Sequence, residues 1–214
     1  MPIPISGRGE VFLAEGPGGR IETMLDYPEP ATPARGLALV AHPHPLFGGS
    51  SDNKVVQTLA KTFLDLGYIA ARPNFRGVGA SEGTHDEGDG ETEDLLVVLG
   101  ALGGRFAFGP PVLSGFSFGA FVQTRVARRI VPERMVLVGV AHGRVVAGRT
   151  YATEPVPANT LVLHGELDET VPLANVLDWA RPQDLPVVVV PGCNHFFDRK
   201  LHHIRSIVKG SWQR

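Results

Sequence analysis

The sequence predicts an α/β protein. It reads as one domain over residues 1–214, with a mostly parallel, twisted sheet of about seven or eight strands and helices on both faces. Three observations predict this. Short apolar runs alternate with segments of helical periodicity. The later runs are almost wholly apolar, as parallel strands buried on both faces require. The first two runs flank the turn cluster Glu15-Gly-Pro-Gly-Gly, the signature of a leading hairpin.

The apolar runs predict strands over residues 11–14, 21–25, 37–41, 68–73, 111–115, 135–141, 160–164 and 187–190. Helical spacing places helices between them. Over 53–66, Val56, Leu59, Ala60, Phe63 and Leu64 share one face, and Gly67 stops the helix. A second helix spans 91–102 and ends at Gly103-Gly104. A third covers 117–130 and carries Arg125, Arg128 and Arg129 late, where cations suit the helix dipole. Helices over 172–180 and about 197–208 complete the pattern. Residues 142–159 are the least regular stretch and are too short to form a domain or a lid.

Composition narrows the function. The chain is 43% hydrophobic, close to the globular norm, and its 26 Gly and 18 Pro imply many tight turns between short elements. The net charge is −2 with both signs interspersed, so no basic stripe exists to meet nucleic acid. The one cysteine, Cys193, can form no internal disulfide and no zinc-type spacing. Residues 1–10 lack a signal-type apolar run, and no stretch approaches the length of a membrane span. A cytoplasmic protein with no membrane partner is expected. No stripe stands out as an interface, which leaves monomer and homodimer open.

The chemistry begins at Gly115-Phe-Ser-Phe-Gly119, a G-x-S-x-G that follows a predicted strand and opens a predicted helix. That context is what a nucleophile elbow needs. The flanking glycines let strand and helix approach, and the tight turn presents the Ser117 hydroxyl at the carboxyl end of the sheet. Phe118 then lies at the helix N-terminus, where its unpaired N–H can donate to an oxyanion.

A serine nucleophile needs a base, and the base needs an orienting acid. In this architecture they follow in the order Ser, Asp or Glu, His. Asp168 lies four residues past the predicted strand 160–164, and His195 follows the strand 187–190 and a glycine turn. All three residues therefore fall on loops at the carboxyl ends of strands, where open parallel sheets bind ligands. Glu166 and Glu169 compete with Asp168; His164, His202 and His203 compete with His195. His164 reads as structural, at a strand end, and the other two sit within the last helix.

A second oxyanion donor is expected from the loop His42-Pro-His-Pro-Leu-Phe-Gly-Gly49. Pro43 and Pro45 have no N–H, so the donor is His44 or Leu46, with Leu46 preferred. Three other readings are set aside. His42 and His44 lack a neighbouring third metal ligand. The run Asn74-Phe-Arg-Gly77-Val-Gly79-Ala-Ser-Glu-Gly83 has the wrong glycine spacing for a dinucleotide loop, and Arg76 reads as a brace between loops. Cys193 has no activating surroundings and reads as structural.

Together His42-Pro-His-Pro-Leu-Phe-Gly-Gly, Asn53-Lys54-Val, Asn74-Phe-Arg-Gly-Val-Gly-x-Ser-x-Gly83, Gly115-Phe-Ser-Phe-Gly119, His164-Gly-x-x-Asp168 and His195-Phe-Phe resemble a family of small bacterial α/β-hydrolases similar to dienelactone hydrolases. The match spans roughly residues 10 to 208. The resemblance implies the α/β-hydrolase fold without a lid domain, and Ser117, Asp168 and His195 as a catalytic triad. Dienelactone hydrolases proper look to carry Cys as nucleophile; Ser117 here favours ester chemistry. The expectation is a serine hydrolase of small or short-chain carboxylic esters, with a small-molecule substrate and no cofactor. A thioesterase, a peptidase or a non-catalytic binding protein on the same fold are the alternatives.

Overall fold

The leading hairpin is present in a computed structural model that describes residues 9–29 and 33–212. β1 (Glu10–Gly16) and β2 (Gly19–Asp26) pair antiparallel across the two-residue turn at Pro17-Gly18. Next come β3 (Gly36–Ala41), α1 (Lys54–Asp65), β4 (Tyr68–Pro73), α2 (Asp89–Phe106), β5 (Val112–Phe116), α3 (Phe118–Val126) and β6 (Arg134–Val138). A short ribbon follows, β7 (Gly143–Arg144) with β8 (Thr150–Tyr151), then β9 (Leu161–Gly165), α4 (Leu173–Ala180), β10 (Val187–Val190) and α5 (Leu201–Trp212). Eight strands form one sheet in the order β1-β2-β4-β3-β5-β6-β9-β10. β2 meets β4 antiparallel, and every pairing from β4 to β10 is parallel. This is the mostly parallel, helix-covered sheet that the alternation predicts, in the α/β-hydrolase order that the resemblance implies.

Strand parity divides the core between two faces, because successive side chains point to opposite sides. Leu37, Leu39, Leu113, Met135, Leu137 and Val162 pack with α2, α3 and α4. Ala38, Val40, Val112, Val136, Val138 and Leu163 pack with Val55, Val56, Leu59 and Phe63 of α1 and Ile204 and Val208 of α5. Each fully buried Leu, Val or Phe contributes about 1.5–3 kcal/mol of apolar burial. No described helix is long and apolar enough to cross a membrane.

The sequence misplaces some boundaries for identifiable reasons. Gly103 and Gly104 do not stop α2; the chain leaves the helix at Ala107, in the left-handed region at φ 53. Predicted to start near residue 197, α5 starts at Leu201. Phe197 and Arg199 have positive φ (53° and 59°), and both the N–H of Phe197 and that of Asp198 are held by Asn194 in a local turn. α3 closes at Val126, and residues 127–130 turn. Within the stretch read as irregular, β7 and β8 form a ribbon that walls the site below.

Candidate active site

The elbow between β5 and α3 is a strained turn held by its surroundings. Ser117 has φ 55 and ψ −118, a conformation that costs of order 1–3 kcal/mol for a residue with a Cβ. Its N–H donates to the Val138 carbonyl at 2.9 Å, and its own carbonyl accepts from Phe121 at 3.1 Å. The two motif glycines are required for packing. A Cβ on Gly115 would lie 2.6 Å from the Ala120 nitrogen, and one on Gly119 would collide with the carbonyl oxygens of Ala41 and His42.

Two further loops bring the remaining groups to Ser117. Gly165, at the end of β9, approaches the 193–194 backbone so closely that a Cβ would lie 2.5 Å from the Cys193 carbonyl oxygen. Across this contact Leu167 N–H donates to Cys193 O at 2.8 Å, and Glu166 N–H to Val190 O at 3.1 Å. Asp168 Oδ1 accepts the N–H groups of Thr170 (2.9 Å) and Val171 (2.7 Å), while Oδ2 lies 2.7 Å from His195 Nδ1. His195 Nε2 is 3.0 Å from Ser117 Oγ. With Asp168 as carboxylate, Nδ1 carries the proton and Nε2 accepts from the serine hydroxyl. All three residues are buried.

The competing residues are placed elsewhere. Glu166 accepts the Gly192 N–H at 2.7 Å from an exposed position. His164 is fully buried behind the site. Its Nε2 is 3.0 Å from the Val171 carbonyl and 3.4 Å from Asp168 Oδ2, and burial pushes its pKa below the usual histidine value. His202 and His203 lie on α5, as expected. Arg76 grips both oxygens of the buried Asp94 at 2.7 and 3.0 Å, bracing the 74–83 loop against α2. Burial raises the Cys193 thiol pKa.

The N-terminus of α3 and the 42–49 loop, where the oxyanion donors are expected, line the same cleft. Phe118 is the first residue of α3, so its N–H has no intrahelical acceptor. Of the two candidates in the 42–49 loop, Leu46 donates its N–H to His44 Nδ1 at 3.2 Å, because the His44 side chain caps the 3₁₀ turn Pro45–Phe47. The His44 N–H has no acceptor among the described residues. The cleft, of about 250 Å³, is bounded by His44, Phe47, Ser117, Phe118, Tyr151 and His195, among others. Asn53 and the β7–β8 wall, with Val145, Val146, Arg149 and Tyr151, also border it. Periodicity gave no sign of this wall. Gly143 (φ 62) at the start of the ribbon and Gly148 (φ 76) in the turn between its strands are the local signals that mark it.

His42 anchors the 42–49 loop. Its Nε2 accepts the Phe75 N–H at 2.9 Å, and its Nδ1 lies 2.6 Å from the Pro43 carbonyl. Both ring nitrogens are thus engaged. Burial lowers its pKa from 6.5 to about 4, partly offset by the Pro43 carbonyl. The folded protein holds this ring neutral while the unfolded chain protonates near 6.5. Its contribution is therefore complete above pH 6.5 and lost as the pH falls towards 4. Urea midpoints at pH 7.5 and pH 5 test this: the midpoint is lower at pH 5, and the difference shrinks in His42→Gln.

No protein-family model matches the chain. An uncharacterised protein of Rickettsia prowazekii (strain Madrid E) is 32% identical over 202 residues, covering 90% of this chain and 84% of the relative. Among solved structures, an α/β serine hydrolase without a lid from Xanthomonas campestris is 33% identical. It superposes with a TM-score of 0.89 over 100% of this chain and 97% of the other. An α/β serine hydrolase homologue from Coxiella burnetii is 36% identical, with a TM-score of 0.82 over 92% and 94% of the two chains. The two solved structures share this chain's fold over nearly the full length, and the chain belongs to their family, the small α/β serine hydrolases without a lid.

Proposed function

We propose that the protein hydrolyses small or short-chain carboxylic esters through an acyl-Ser117 intermediate. The observation that carries this reading is the continuous relay Asp168–His195–Ser117, at 2.7 and 3.0 Å, opening into one cleft. His195 Nε2 takes the hydroxyl proton as Ser117 Oγ attacks the ester carbonyl. Asp168 stabilises the imidazolium that forms. The N–H groups of Phe118 and His44 receive the oxyanion, and losing one such donor typically costs about 10²–10³ in rate. Collapse expels the alcohol, which takes the proton from His195. Water, deprotonated by the same imidazole, then attacks the acyl-enzyme; the acid departs and Ser117 regains its proton. No step calls on a cofactor, and the single unpaired cysteine is compatible with work in the cytoplasm.

The small cleft sets the acyl preference. With p-nitrophenyl esters of increasing acyl length, kcat/KM peaks at short chains and falls for longer ones. A steady rise beyond about ten carbons contradicts the small-ester reading, because burying more methylenes would then be gaining transition-state binding.

A further inference from the structure

We propose that the cleft selects esters bearing a carboxylate remote from the scissile carbonyl, with Arg149 and the Tyr151 hydroxyl as its receiving groups; this rests on the hydrolase reading above. Among the described residues, Arg149 is the one Arg or Lys side chain that borders the cleft, and neither Asp nor Glu borders it. Arg20, Arg72, Arg76, Arg105, Arg125 and Arg129 each pair with a carboxylate; among the described residues Arg149 has no acidic partner, and the other arginines without one, Arg128, Arg134, Arg144 and Arg199, do not border the cleft. Its guanidinium lies 4.8 Å from the Phe47 ring centroid, a cation–π contact that leaves the in-plane N–H donors open. The planar fork of those donors matches a carboxylate in two-point contact.

The neighbouring groups agree with this assignment. Tyr151 is buried, burial pushes its pKa up to about 12, and its hydroxyl has no partner among the described residues. It therefore stays a neutral donor at any working pH. Val145, Val146, Val171 and Phe196 give the cleft an apolar stretch, beside the polar Asn53 and Thr170, suited to the methylene chain between ester and acid. An anion held there pairs with the guanidinium in a half-enclosed setting, where the interaction is weakened less than in open water.

A matched pair of substrates tests the proposal: the mono-p-nitrophenyl ester of adipic acid against p-nitrophenyl hexanoate, of equal acyl length. In wild type, kcat/KM for the anionic ester exceeds that for the neutral one by about 10–100-fold at low salt, as hydrogen bonds to a charged group allow. The ratio collapses in Arg149→Gln and recovers in part in Arg149→Lys. A wild-type ratio at or below one, or a ratio unchanged in Arg149→Gln, overturns the proposal and leaves the hydrolase reading intact if a fluorophosphonate still labels Ser117. If Ser117 takes neither that probe nor either ester, the hydrolase reading fails. Adipate binding by calorimetry then decides the subsite: binding that weakens in Arg149→Gln upholds it, and no binding in wild type overturns it.

Discussion

Asp168→Asn lowers kcat for ester hydrolysis by about 10⁴-fold, the scale seen when a triad imidazole is held in the wrong tautomer. The local hydrogen bonds explain why so small a change is so costly. Two backbone donors, the N–H groups of Thr170 and Val171, hold Oδ1. In the variant they select the amide oxygen for that position and place the NH₂ group against His195 Nδ1. That nitrogen must then accept, so the ring proton moves to Nε2. There it faces Ser117 Oγ, and the ring can no longer take the serine proton. The fold changes little, because both backbone bonds survive. A kcat within tenfold of wild type would contradict the role given to Asp168.

Ser117→Ala has the larger effect, about 10⁴–10⁶-fold in kcat, since the group that forms the covalent bond is gone. Its melting temperature stays close to wild type. Alanine carries the same Cβ through the same strained turn, and the Ser117 backbone bonds to Val138 and Phe121 do not involve the hydroxyl. Steady-state kinetics with a short-chain p-nitrophenyl ester, alongside thermal unfolding, check both halves. Turnover within tenfold of wild type would place the nucleophile elsewhere.

Much of the architecture was legible because its signals are local. Wholly apolar runs mark central parallel strands, and the turn cluster after Ala14 marks the hairpin. Asn53, whose side chain accepts the Val55 N–H, and Gly67 bound α1. The positions of Ser117, Asp168 and His195 were legible for the same reason, each following an apolar strand at a loop. The sequence could not fix what depends on contacts between distant segments. Proline exclusion leaves both His44 and Leu46 as candidate oxyanion donors; the side chain of His44 captures the N–H of Leu46, the favoured candidate, a contact no spacing rule foretells. Gly103 and Gly104 read as a helix stop, yet α2 continues through them while Leu95, Val98 and Leu102 anchor it to the core. The β7–β8 wall is not legible in the sequence, because two-residue strands carry no periodicity, although it brings Arg149 and Tyr151 to the cleft.

The most direct test of the central claim is mass spectrometry of the intact protein after exposure to a small fluorophosphonate. Wild type gains one phosphonyl adduct, peptide mapping places it on Ser117, and Ser117→Ala gains none. A folded wild type that gains no adduct, or an adduct that persists in Ser117→Ala, would contradict an activated serine at the elbow.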